Sequence, residues 1–132
     1  MNALEIGLYN ALATDNTLTN AITKGGIYNT VARQGTALPY VIFFWTGGGL
    51  ENINPSELHN VVYVVKVVAD DAHEAGTIQG YIKNALHLQT LTVAGYTNFY
   101  TACEDEIQLT ETTREGTVLH HRGYVVRIRI DD

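Results

Sequence analysis

The side chains of this chain that could do chemistry are five histidines, Cys103, Ser56 and the acidic runs Asp70-Asp71 and Glu104-Asp105-Glu106. His73-Glu74-Ala75-Gly76-Thr77 begins like a helical zinc-protease motif, in which two histidines one turn apart share the metal. Thr77 stands where the second histidine is needed, so that chemistry is excluded. His120 and His121 are adjacent on a strand-like segment, and neighbouring strand residues leave opposite faces of a sheet. They cannot jointly hold one ion without a bulge. Cys103 reads as a small half-buried hydrophobe rather than a reactive thiol. Ser56, in Asn54-Pro55-Ser56-Glu57, lacks the strand-to-helix elbow of a hydrolase nucleophile. Gly47-Gly48-Gly49 follows a strand as a phosphate loop would, yet no Gly-Lys-Ser/Thr ending is present, and it reads as a plain loop. Asp70-Asp71 is explained by helix capping and Glu104-Asp105-Glu106 by solvation. No catalytic residue, metal ligand or cofactor-binding residue is expected, and the chain reads as non-enzymatic.

Composition narrows the remaining classes. At 132 residues the chain has the length of a single domain, 1–132, with one core. Its net charge of −6, with three Lys and five Arg, is the opposite of the basic footprint needed to coat nucleic acid. A lone cysteine makes no internal disulfide. There is neither a basic-then-apolar leader nor an apolar run of about 18 residues, which predicts a soluble, unsecreted protein with no membrane partner.

The elements that would position these residues follow from periodicity. Leu4, Leu8, Ala11 and Leu12 have helical spacing, and Asp15 is placed to cap a second short helix carrying Leu18 and Ile22, ended by Gly25-Gly26. Residues 40–45 and 60–69 read as strands, the second apolar on nearly both faces. The stretch 46–57 between them reads as a long protruding loop. It follows Trp45, an aromatic suited to anchoring a partner if exposed; a tolerated insertion explains the loop equally.

Asp71 and Glu74 form a capping pair that starts a helix to about Gln89, with Ala75, Ile78, Ile82, Ala85 and Leu86 on its core side. Gly76 and Gly80 gather on the other side. They read either as a smooth surface for another subunit or as tolerated surface glycines. Three strands follow at about 96–101, 103–109 and 117–130. The strand, helix, strand order at 60–101 suits a partly parallel sheet. On the last strand Arg127 and Arg129 share a face, whereas residues 104–115 hold five acids and one base. Opposite charges on separate surfaces suit head-to-tail contacts in a ring; a solvated outer face is the alternative. The expected fold class is α+β, a mixed, mainly antiparallel sheet with an N-terminal helix pair and one long helix packed on it.

Leu8-Tyr9-Asn10-Ala11-Leu12, then Asp15 with Leu18, then Gly26-Ile27-Tyr28 and Leu38-Pro39-Tyr40-Val41, form an opening pattern. Together with the Val-rich strand, the long helix and the closing His121-Arg122-Gly123-Tyr124 stretch, it resembles the tail-completion or tail-terminator proteins of long-tailed bacteriophages. The resemblance implies a structural virion protein, assembled in the host cytoplasm. It would form a homo-oligomeric ring, a hexamer, on the head-proximal end of the tail. Its partners would be the tail tube protein and the head connector or stopper, with DNA passing through the lumen without specific binding. Trp45, Gly47, Gly48, Gly49, Gly76, Gly80, Arg127 and Arg129 are the expected interface residues. A head-tail adaptor or stopper ring protein, and a small α+β ligand-binding domain, are the alternatives.

Overall fold

Apolar residues at helical spacing and strand residues at period two here fold onto each other as two layers. A computed structural model describes residues 2–52 and 57–132. Its elements are α1 (Asn2–Ala13), α2 (Asn16–Ala21), β1 (Gly26–Asn29), β2 (Tyr40–Asn52), β3 (Glu57–Ala69), α3 (Ala72–Leu86), β4 (Thr92–Val93), β5 (Tyr96–Thr112) and β6 (Val118–Asp131). The six strands form one sheet in the order β1-β2-β3-β6-β5-β4. Every neighbouring pair is antiparallel except β1 and β2. The fold is α+β, with a mixed, mainly antiparallel sheet, as the sequence implies.

One set of alternate strand residues meets the helices. Val41 and Phe43 of β2, Val61, Tyr63, Val65 and Val67 of β3, and Tyr124, Val126, Ile128 and Ile130 of β6 are buried in one cluster. Leu4, Leu8 and Leu12 of α1, Leu18 of α2, and Ala75, Ile78, Ile82 and Leu86 of α3 complete it. Each large apolar side chain so buried contributes about 1.5–3 kcal/mol of transfer free energy. On the other face Ile42, Phe44, Val62, Lys66, Val125 and Arg127 are half-buried and Val64 and Val68 are buried, all outside this cluster.

The helix caps resolve as read, although α2 ends at Ala21, with Ile22 as its C-cap, before Gly25-Gly26 is reached. Asp15 caps α2 by accepting the Leu18 backbone N–H at 3.0 Å. Asp71 caps α3 by accepting those of His73 and Glu74. The third helix is shorter than expected, ending at Leu86 instead of near Gln89. His87 leaves helical geometry there while its N–H still bonds the Lys83 carbonyl.

Three expectations about the sheet are corrected. Residues 46–52 are not loop: β2 continues through Gly47, Gly48 and Gly49, paired with Val62, Val61 and Asn60 of β3. A bulge between Trp45 and Gly47 absorbs one residue and the ladder resumes beyond it. Gly48 has φ of +85°, and a Cβ there would stand 2.1 Å from the Asn60 carbonyl oxygen, so glycine is what lets the strand pass. Of the expected loop only residues 53–56, Ser56 among them, fall outside the described residues.

The segments 96–101 and 103–109 are one strand, β5, with bulges at Asn98/Tyr100 and Cys103/Asp105, and it runs on to Thr112. The strand takes in Glu104, Asp105, Glu106 and Glu111, and the turn to β6 lies at 113–117. Finally, β3 and β5 do run in the same direction, but β6 lies between them. The parallel neighbours are β1 and β2, with Ile27 beside Val41.

Candidate interaction surface

The groups able to do chemistry stay dispersed. His73 is exposed in the first turn of α3. His87 Nδ1 accepts the Cys103 backbone N–H at 3.0 Å. His121 Nε2 lies 2.7 Å from Glu111 Oε1. Burial pushes the Cys103 thiol up to about 11, against a smaller opposing pull from Lys83, which keeps it in the unreactive protonated form. Among the described residues no three His, Cys, Asp or Glu side chains come together as metal ligands would. Nor is any described helix long and apolar enough to cross a membrane.

What the fold does present is surface. β1 covers only Tyr40–Phe43 of β2, and the last backbone bond from that side runs from the Thr30 N–H to the Phe43 carbonyl at 2.8 Å. Beyond it no described strand covers the outer edge of β2, while β3 on its other side stays paired with β6 from Leu58 to Ala69. Trp45 and Leu50, each 56% exposed, lie on the helix side of the β2–β3 hairpin. With Leu4, Glu5, His59 and Tyr63 they line a groove of about 330 Å³ between α1 and the hairpin. The floor is fixed chemically. Burial, reinforced by the charge of Glu5 and a hydrogen bond to it, pushes the Tyr63 hydroxyl up to about 12. The Glu5 carboxylate accepts that proton donor and ties α1 to β3.

Trp45 thus sits where an anchoring aromatic would be useful, while Gly47–Gly49 supply a flat strand beside it and not a loop. Gly76 and Gly80 lie on α3, but they face different surroundings. A Cβ on Gly76 would come 3.2 Å from Arg122 Nη1, so this glycine makes room for an arginine of its own sheet, whereas Gly80 has nothing within 4 Å. Gln79 between them donates to the Gly123 carbonyl at 3.0 Å, fastening α3 to β6.

The arginines are placed less simply than their spacing suggests. Arg127 Nε donates to Glu104 Oε1 at 2.9 Å, and its Nη1 to Asn60 Oδ1 at 2.8 Å. Asn60 in turn donates to Glu51 at 2.9 Å. One polar chain therefore crosses β2, β3, β6 and β5. Arg129 lies over the Phe99 ring, 5.3 Å from its centroid. The expectation that Arg127 and the acidic stretch occupy separate surfaces is overturned, because β5 and β6 are sheet neighbours. On the same face Lys66 lies 5.7 Å above the Phe44 ring, and burial lowers its pKa against an opposing contribution from Glu111.

Sequence reasoning passed over Asn98. Its buried amide accepts from the Leu91 N–H at 2.8 Å and the Thr101 hydroxyl at 2.9 Å, and donates to the Tyr100 and Arg129 carbonyls, each at 3.1 Å. An asparagine in a strand-like run followed by an aromatic pair was the available signal for a bulge needing a side-chain brace.

Residues 7–131 match the family described as Tail completion protein gp17. Among solved structures, a chain of the virion of a native gene transfer agent particle superposes with a TM-score of 0.77 at 16% identity, covering 99% of this chain and 96% of that one. That likeness establishes the shared fold. No curated protein matches. Because the family match spans nearly the whole chain, from the first turns of α1 to the end of β6, the chain belongs to the Tail completion protein gp17 family.

Proposed function

We infer that this structural tail protein acts as a tail terminator. In this reading several copies, six in number, close into a ring on the head-proximal end of the tail tube. The ring ends tube polymerisation and presents its other surface to the head connector or stopper, while DNA passes through its lumen without specific binding. The observation that carries the reading is the family match over residues 7–131. A sheet whose β2 edge has no described strand neighbour beyond Phe43, with chemical groups dispersed among the described residues, supports an assembly role rather than an enzymatic one. The negative charge of −6 suits a channel that does not trap phosphate.

The test is tube assembly in the presence and absence of the protein. Purified tube subunits with the protein added are expected to give tubes of limited length carrying a ring at one end. Unrestricted growth with the protein bound only to connectors would instead assign it the adaptor or stopper role.

A further inference from the structure

We propose that neighbouring copies join by sheet extension, the outer edge of β2 from Phe44 to Asn52 receiving the outer edge of β5 from Asp105 to Thr112 of the next copy. The proposal rests on the ring reading and names the contact that would build it.

Among the described residues both edges are open. β1 leaves β2 at Phe43, and β4 pairs with β5 only at Tyr96 and Thr97. Between those ends, Thr101 and Cys103 of β5 are bonded by Leu88 and His87, but among the described residues no strand pairs with the outer side of β5 from Asp105 onward. Such unpaired rows of N–H and C=O groups are templates for another chain. The Phe43 carbonyl accepts from outside the β2–β3 ladder, so antiparallel alternation turns the backbone groups of Trp45 outward and, after the one-residue bulge, those of Leu50.

Strand direction fits a second copy of this chain. Three successive antiparallel pairings lead from β2 through β3 and β6 to β5, so β2 and β5 run opposite ways. A neighbour placed in the same orientation therefore brings its β5 antiparallel to β2. Because different edges meet, the contact is heterologous, the kind that closes rings.

Charge selects the same partner. The β2 edge from Phe44 to Asn52 holds no base and one acid, Glu51, whose carboxylate accepts from the Asn60 amide of the same subunit at 2.9 Å; the nearest charges before it in sequence, Lys24 and Arg33, are exposed bases. The opposite edge, residues 104–115, holds five acids and one base, with Asp105, Glu106 and Glu115 exposed. Juxtaposing the two edges sets the acidic strand against a nearly uncharged one, whereas joining two β5 edges would set acid against acid.

Amide hydrogen exchange of the full chain, free and assembled alone or on tail tubes, tests the contact, with native mass recording the assembly. Exchange at both 44–52 and 105–112 is expected to slow about tenfold or more in the assembled state. Leu50→Pro removes an outward N–H without touching the β2–β3 ladder, and should weaken assembly about tenfold or more while Leu50→Ala assembles. If an assembly forms with both segments exchanging as in the free chain, or if Leu50→Pro assembles like the parent, edge pairing is wrong and the ring stands on other contacts. A chain that stays monomeric in solution and on tubes overturns the ring reading, and this contact with it.

Discussion

Arg127 on β6 and Glu104 on β5 are 23 residues apart in sequence yet meet at 2.9 Å across neighbouring strands. The pair shows why charge read along a chain is a poor guide to charge on a surface. The side chains are 36% and 35% exposed, a setting in which an ion pair contributes about 0.2–1 kcal/mol. More depends on the second bond of Arg127, to Asn60, which braces β3 and, through Glu51, β2.

Arg127→Ala should therefore cost more than Glu104→Gln. We expect about 1–2 kcal/mol for the arginine, since it strands the Asn60 carbonyl, and under about 1 kcal/mol for the glutamate. Urea unfolding of the two variants measures both. Equal losses would mean that the ion pair, and not the Asn60 bond, is the stabilising partner.

Asn98 is expected to be the most sensitive polar position described. Asn98→Ala leaves the Leu91 N–H and two strand carbonyls without their partner in a buried setting, a loss of about 2–4 kcal/mol. A thermal unfolding midpoint within a degree of the parent's would refute this.

Two glycines should respond with opposite sign. At Gly48 a Cβ meets the Asn60 oxygen and φ is positive, so Gly48→Ala should destabilise the β2–β3 hairpin by about 2 kcal/mol or more. At Gly80, inside a helix with nothing within 4 Å, alanine should stabilise the subunit by about 0.5–1 kcal/mol. Chemical denaturation reads both. If Gly80→Ala gains that stability yet loses assembly, the helix face carries a contact as well.

Alkali should unfold the protein earlier than its surface residues would require. Folding raises the Tyr63 pKa to about 12 and that of Cys103 to about 11, both chiefly by burial. Each folded state thus favours the protonated form. The stability gained is complete below the unfolded pKa values, about 8.5 for Cys and 10 for Tyr, and is lost as pH rises through the folded ones. Stability measured from pH 8 to 12 should fall across that window, and Tyr63→Phe should flatten the upper part of the fall.

How far the sequence could be read differs by element. The helices were legible because a capping aspartate and i, i+3, i+4 spacing are local signals, visible at Asp15 and Asp71. The core strands were legible from their apolar runs, Val-Ile-Phe-Phe-Trp at 41–45 and the Val-rich stretch at 60–69. Gly47–Gly49 were not, since three glycines carry no pattern and their strand exists only through the β3 ladder and a bulge. β5 was split at Ala102 because two bulges interrupt its period of two. The pairing of β1 with β2, and of the acidic strand with Arg127, is long-range information that no local window holds. Of the residues expected at an interface, Trp45 could be singled out as an aromatic at the end of a strand-like run. Arg122 behind Gly76, and Glu5 under Tyr63, could not be found without the fold.

The central claim, that this family member ends the tail as a closed ring, is tested most directly by the native mass of the protein bound to its tail tube. Six copies per tube end are expected, with no further tube subunits added beyond them. A single copy per tube end, or tubes that keep growing past the bound protein, would contradict the account.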